Sequence, residues 1–62
     1  MCEANAYMME GEKEILIMKS VDKVTIEDQG LLLVNIFGEQ KLLKARIHSL
    51  ALVDHKILLE PR

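Results

Sequence analysis

Short apolar runs separated by turn residues constrain the fold of this 62-residue chain more than any other feature of its sequence. They recur about every eight to ten residues, which is the spacing of short antiparallel strands. We predict an all-β domain over residues 1–62, with about six short antiparallel strands closed into a small barrel or sandwich. The expected strands are residues 3–9, 14–20, 24–26, 31–37, 41–49 and a terminal hairpin of 50–53 and 57–59.

Two details of this prediction depend on side-chain spacing. Residues 41–49 could place their apolar side chains on one helical face, but they also alternate in the period-two pattern of a strand. The neighbouring short strands favour a strand there. The β-branched run at residues 24–26 predicts a strand with Val24 and Ile26 facing inward.

The small size of the domain calls for an additional source of stability. Natural domains of this length usually rely on disulfides, a metal or a second subunit. One cysteine excludes a disulfide within the chain. The high aliphatic content therefore favours a homodimer. The N-terminus lacks the pattern of a signal peptide, the apolar stretches are too short to span a bilayer, and a lone thiol suits a reducing compartment. We expect a cytoplasmic protein with no membrane partner.

Cys2 is the residue with the most distinctive chemistry. Its thiolate can form small chelate rings with nearby backbone nitrogens and a terminal amine. If Met1 is retained, it supplies the amine; if Met1 is removed, the Glu3 amide becomes the next nitrogen. Deprotonated amides favour square-planar Ni(II) or Cu(II), whereas zinc prefers a tetrahedral set of side chains. The residues alone favour an incidental thiol at a frayed terminus over a metal site.

The histidines are weaker candidates. The spacing of His48 and His55 matches no metal-binding motif. His55 falls in a predicted turn and His48 on the wet face of a predicted strand, so we expect neither to be a primary ligand. The acidic residues of the first hairpin are expected to form a solvated turn rather than an ion site: Glu3, Glu10, Glu12 and Glu14.

Nucleic-acid binding and catalysis have little support in the sequence. A modest basic strip could form from Lys41, Lys44, Arg46 and Lys56. A small RNA-binding β-barrel is therefore an alternative with little support, because the net charge is −2 and few aromatic side chains are available to stack on bases. No catalytic triad, phosphate-binding loop or pair of buried carboxylates is recognisable. We predict that the chain is not an enzyme.

Two families share the N-terminal Met1-Cys2 pair. Small hydrogenase-maturation chaperones carry a proline a few residues later, and this chain has none there. The chain resembles instead, over its full length, the CooT family of small nickel-binding accessory proteins linked to carbon monoxide dehydrogenase. The resemblance rests on Met1-Cys2-Glu3-Ala4, on Asp28-Gln29-Gly30, and on the tail Ala45-Arg46-Ile47 … Leu52-Val53-Asp54-His55-Lys56-Ile57-Leu58-Leu59-Glu60.

That resemblance implies a small all-β homodimer that binds Ni(II) through the Cys2 thiolate. It also implies nickel delivery or storage for a nickel enzyme such as carbon monoxide dehydrogenase. The resemblance transfers only Cys2 as a metal ligand, and the chelate chemistry described above adds the N-terminal backbone nitrogens of Met1 and Glu3 to the expected ligands. Cys2 is the position that carries the implied function.

Overall fold

The computed structural model describes residues 3–62 and consists of six strands joined by short turns. The predicted all-β fold is confirmed. The strands are β1 (Ala4–Glu10), β2 (Lys13–Glu27), β3 (Gly30–Asn35), β4 (Gln40–Leu43), β5 (Ala45–Ala51) and β6 (Lys56–Pro61). The predicted turns after β1 and β2 and the terminal hairpin are present, and Pro61 is the last residue of β6.

All six strands form one sheet in the order β4-β3-β2-β1-β6-β5. Neighbouring strands are antiparallel except β1 and β6, which pair in parallel from Asn5↔Lys56 to Met8↔Leu59. The expectation of purely antiparallel strands is therefore wrong at this one pair. The first and last strands of the chain lie side by side in the middle of the sheet, which places the start of β1 beside the start of β6.

The sheet is curled, because its two edge strands are consecutive in the chain. A single residue, Lys44, separates β4 from β5, so the opposite edges must approach each other there. The Arg62 N–H donates to the Lys44 carbonyl at this corner, at 3.2 Å. Gly30 packs against the same corner with φ +151°, and a Cβ on it would lie 2.0 Å from the Leu43 carbonyl oxygen. Lys44 also divides the predicted 41–49 strand into two.

β2 is longer than predicted, since the expected joint at Val21-Asp22 lies inside a continuous 15-residue strand. Its first half pairs with β1 and its second half with β3. β-Bulges separate the halves, and Ser20 adopts a left-handed conformation with φ 57°. A bulge bends a strand without ending it. This explains how β2 pairs with β1 along its first half and with β3 along its second half.

The core lies inside the curl and is aliphatic. Leu33 and Leu59 are fully buried, with a surrounding cluster of Ala6, Met18, Val21, Leu31, Ala45 and Ile57. Val24 packs against this cluster as predicted. Ile26 lies on the same face as Val24 and opposite the buried Leu31, but it lines an open surface cavity and is 76% exposed.

The part of the chain that the structure describes contains no helix long and apolar enough to cross a membrane.

Candidate functional site

Two of the three predicted metal-binding residues, Met1 and Cys2, lie outside the described residues. The third, Glu3, is exposed and immediately precedes β1. The surroundings of the predicted site are therefore defined by the residues that hold the start of β1 in place.

Asn5 connects the start of β1 to strands on both sides. Its backbone N–H donates to the His55 carbonyl at 2.9 Å, and its side-chain Oδ1 accepts the Ser20 N–H at 3.1 Å. The Ser20 carbonyl in turn accepts the Ile36 N–H at 3.0 Å. A continuous row of hydrogen bonds thus runs across the sheet beside the predicted ligand segment. Sequence reasoning passed over Asn5 because a strand-face asparagine carries no local signal of its long-range partners.

His55 lies beside the start of β1, although its position in a predicted turn made it a weak candidate for a metal ligand. It ends the turn between β5 and β6 with φ 56°, and its N–H donates to the Leu52 carbonyl at 3.2 Å. Its side chain is exposed. Together with Ala4 it lines a surface cavity of about 290 Å³ whose other walls are mainly apolar: Leu50, Ala51, Leu52, Lys56 and Ile57.

A second, more apolar cavity adjoins the same segment. It measures about 320 Å³, shares Ala4, Leu50 and Leu52 with the first, and extends to residues of β2. Ile47, Leu50 and Leu52 line it, and all three are substantially exposed. Val53 in the following turn is 92% exposed. The start of β1 is therefore bordered by an apolar surface, defined here as Ile47, Leu50, Leu52 and Val53.

The remaining metal-binding candidates do not converge. His48 lies within β5, exposed, with Nδ1 3.1 Å from the Ser49 hydroxyl. Within residues 3–62, no three histidine, cysteine, aspartate or glutamate side chains come together in a way that could hold a metal ion.

The acidic hairpin has one defined interaction. Glu14 pairs with Lys56 across β1, with 3.0 Å between Oε1 and Nζ. The Lys56 ammonium also lies over the Tyr7 ring, 5.4 Å from its centroid. The hydrogen bond to Glu14 and the charge of Glu14 raise the pKa of Lys56 above its ordinary value of 10.5. Glu10, the last residue of β1, and Glu12, in the following turn, are both exposed, as predicted.

The basic strip is partly neutralised in the folded protein. Arg46 pairs with Glu60, and Lys56 pairs with Glu14. The Lys41 ammonium donates to the Ile17 carbonyl at 3.5 Å. Cations already engaged with carboxylates offer less to a phosphate backbone, so the arrangement gives the RNA-binding alternative no added support.

Comparisons with known proteins identify relatives over nearly the whole chain. A family model for the CO dehydrogenase accessory protein CooT matches residues 1–60. A crystal structure described as CooT from Carboxydothermus hydrogenoformans is 52% identical, with 98% of each chain covered and a TM-score of 0.93. No curated protein sequence matches. These findings agree with the resemblance read from the sequence, and an accessory role agrees with the prediction that the chain is not an enzyme.

Proposed function

This chain belongs to the CooT family of CO dehydrogenase accessory proteins, and from that membership we propose that it binds Ni(II) through the Cys2 thiolate. The nickel is cargo, delivered to or stored for a nickel enzyme such as carbon monoxide dehydrogenase. The observation that carries the proposal is the family match, which begins at residue 1 and includes Cys2. The protein acts in the cytoplasm, where thiols remain reduced.

The donor set suits nickel better than zinc. The Cys2 thiolate, the Cys2 backbone nitrogen and either the Met1 α-amine or, if Met1 is removed, the Glu3 amide nitrogen are donors of the kind found in square-planar sites, which Ni(II) accepts and zinc disfavours. The described side chains provide no cluster of three ligands for a tetrahedral site. The exposure of Glu3 supports a ligand segment at the surface, where metal can be taken up and passed on. Metal binding by these groups releases protons, so affinity rises with pH.

We also propose that the protein is a homodimer joined through the apolar surface of Ile47, Leu50, Leu52 and Val53. Leu52 is 77% and Val53 92% exposed in the single chain. Contiguous exposed apolar side chains commonly mark an interface, and a domain of this size gains stability from a second copy. This surface borders Ala4. A dimer formed there brings two Cys2-bearing segments near each other, so that they could share or adjoin a metal.

Nickel titration of the apo protein tests the metal site. Ni(II) added to protein with its native N-terminus is expected to produce thiolate-to-nickel absorption, and Cys2→Ser is expected to abolish it. His48→Ala is the matched control and is expected to bind as the parent does. An intact mass identifies the terminal residue, and no N-terminal tag is used because a tag displaces the α-amine. Equal nickel binding by Cys2→Ser refutes the proposal, and tetrahedral zinc displacing the nickel refutes the square-planar ligand set.

Light scattering on a sizing column tests the dimer. The parent is expected to have twice the mass of one chain, and Leu52→Asp the mass of a single chain, because a buried unpaired carboxylate is costly. Leu42→Asp on the β4 edge, 49% exposed, is the control and is expected to stay dimeric. A dimeric Leu52→Asp variant places the interface elsewhere, and a monomeric parent refutes the dimer.

A further inference from the structure

We propose that Asn5 is a positioning residue for the nickel-binding segment. It holds the start of β1, the described segment that leads to Cys2, between β2 and β6. The inference rests on the proposed function, since it concerns the same nickel site. It adds a residue that is not itself a ligand.

The first part of the evidence is a β-bulge. Between Ala4 and Ala6, the single residue Asn5 faces two residues of β2, Lys19 and Ser20. A bulge leaves the extra residue outside the regular backbone ladder. The Ser20 N–H is satisfied instead by the Asn5 side chain, at 3.1 Å. Ser20 has φ 57°, a conformation that costs a residue other than glycine free energy and persists only where its surroundings hold it.

The second part is the bond on the other side of β1. The Asn5 backbone N–H donates to the carbonyl of His55, the left-handed residue that closes the β5–β6 turn, at 2.9 Å. It is the first bond of the parallel pairing that starts at Asn5↔Lys56. Asn5 therefore joins two positions with left-handed backbone conformations, Ser20 in β2 and His55 in the turn before β6. A backbone donor and a side-chain acceptor on one residue hold β1 from both sides.

The consequence for Cys2 follows from chain length. Cys2 precedes Asn5 by three residues, so its Cα lies within about 11 Å of that of Asn5 even if the chain is fully extended. The described residues before Asn5 are Glu3, which precedes the strand, and Ala4, which pairs with Val21 across the bulge. Without the Asn5 side chain the bulge loses its internal acceptor, and the Ala4↔Val21 pairing is free to shift. The start of β1, from which the ligand segment extends, is then held less firmly.

Ligand groups that are held in place bind metal more tightly, because less conformational entropy is lost on binding. Removing the groups that orient metal ligands typically lowers metal affinity by about 10- to 100-fold. We expect Asn5→Ala to lower nickel affinity by about tenfold or more by this mechanism. Asn5→Asp keeps an oxygen acceptor for the Ser20 N–H, so it is expected to restore most of the affinity.

The control must separate positioning from loss of stability. Asn35 serves this purpose because its Oδ1 accepts the N–H groups of Phe37, at 3.0 Å, and Glu39, at 2.9 Å, in the β3–β4 turn. Asn35→Ala thus also removes an asparagine side chain that accepts backbone N–H groups, but it does so between β3 and β4 and not in β1. Nickel affinity is measured for the parent and the three variants by calorimetry, thermal unfolding gives the stability of each, and amide relaxation by NMR reports the order of Glu3 and Ala4.

The inference is supported if Asn5→Ala weakens nickel binding and disorders Glu3 and Ala4 while Asn35→Ala, at comparable loss of stability, does neither. It is overturned if Asn5→Ala binds nickel as the parent does, or if both alanine variants lose affinity in proportion to stability. Recovery in Asn5→Asp supports the role of the acceptor, and its absence overturns that role. A parent that binds no nickel refutes the proposed function and this inference with it, whereas parent-like binding by Asn5→Ala leaves the proposed function intact.

Discussion

Leu33 provides the most direct test of how this small core is held together. It lies in β3 between β2 and β4 and is fully buried, with Leu31 and Met18 in the same cluster. Truncation to alanine removes buried methyl groups and leaves a cavity that a six-stranded curled sheet can close only in part. Leu→Ala changes at such sites cost about 2 to 5 kcal/mol. Because no part of Leu33 is exposed, we expect the middle of that range or above, about 3.5 kcal/mol.

That loss is large relative to the total stability of the domain. At about 0.05 to 0.15 kcal/mol per residue, a 62-residue domain has about 3 to 9 kcal/mol of unfolding free energy. For a domain of this size, each 1 kcal/mol lowers Tm by about 4 to 8 °C. Leu33→Ala is therefore expected to lower Tm by about 14 to 28 °C, or to leave the chain unfolded at room temperature.

The assay is thermal and urea unfolding followed by circular dichroism. All proteins are compared at one concentration, because the Tm of a dimer depends on concentration. Leu42→Ala in β4 is the matched control: the same atoms are removed from a side chain that is 49% exposed, and we expect a loss of about 1 kcal/mol or less. If Leu33→Ala loses no more stability than Leu42→Ala, the placement of the core inside the curl is wrong.

Two further predictions concern the sheet corner and the ion pair across β1. Gly30→Ala is expected to destabilise the protein by more than about 1 kcal/mol in urea unfolding, because its Cβ would lie 2.0 Å from the Leu43 carbonyl oxygen; an unchanged midpoint would contradict this close approach. The Lys56 pKa is raised in the folded state, so the contribution of Lys56 to stability is present below pH 10.5 and is lost as the pH rises through the raised value. The stability difference between the parent and Lys56→Gln should shrink above that pH, and a difference that grows there would refute the assignment.

Much of the fold could be predicted from local sequence. Turn chemistry at Gly11 and at Asp28-Gln29 locates the first two hairpins, and a period-two pattern identifies most strands. The predictions that are wrong share one cause. The fusion of two predicted strands across Val21-Asp22, the division of the predicted 41–49 strand at Lys44 and the parallel pairing of β1 with β6 all depend on which strands are neighbours in the sheet.

In the candidate site, too, some features follow from local sequence and others only from the tertiary structure. The chemistry of Cys2 follows from residue type and position, and the sequence was sufficient to predict the family that the comparisons confirm. The support around it was not predictable, because Asn5 bonds to Ser20 and to His55, residues far from it along the chain. His55 was correctly predicted in a turn, but its place beside the start of β1 required the parallel pairing of β1 with β6.

The sequence by itself determined the all-β class and the turns, and it provides the residues proposed to bind metal, because backbone propensity, side-chain alternation and donor type are properties of short segments. Only the tertiary structure decided that the sheet curls at Lys44, that β1 and β6 run parallel, and that Asn5 is held on both sides. Strand pairing joins residues that are distant in the chain, and its free energy depends on the whole set of partners. No segment read alone contains that information.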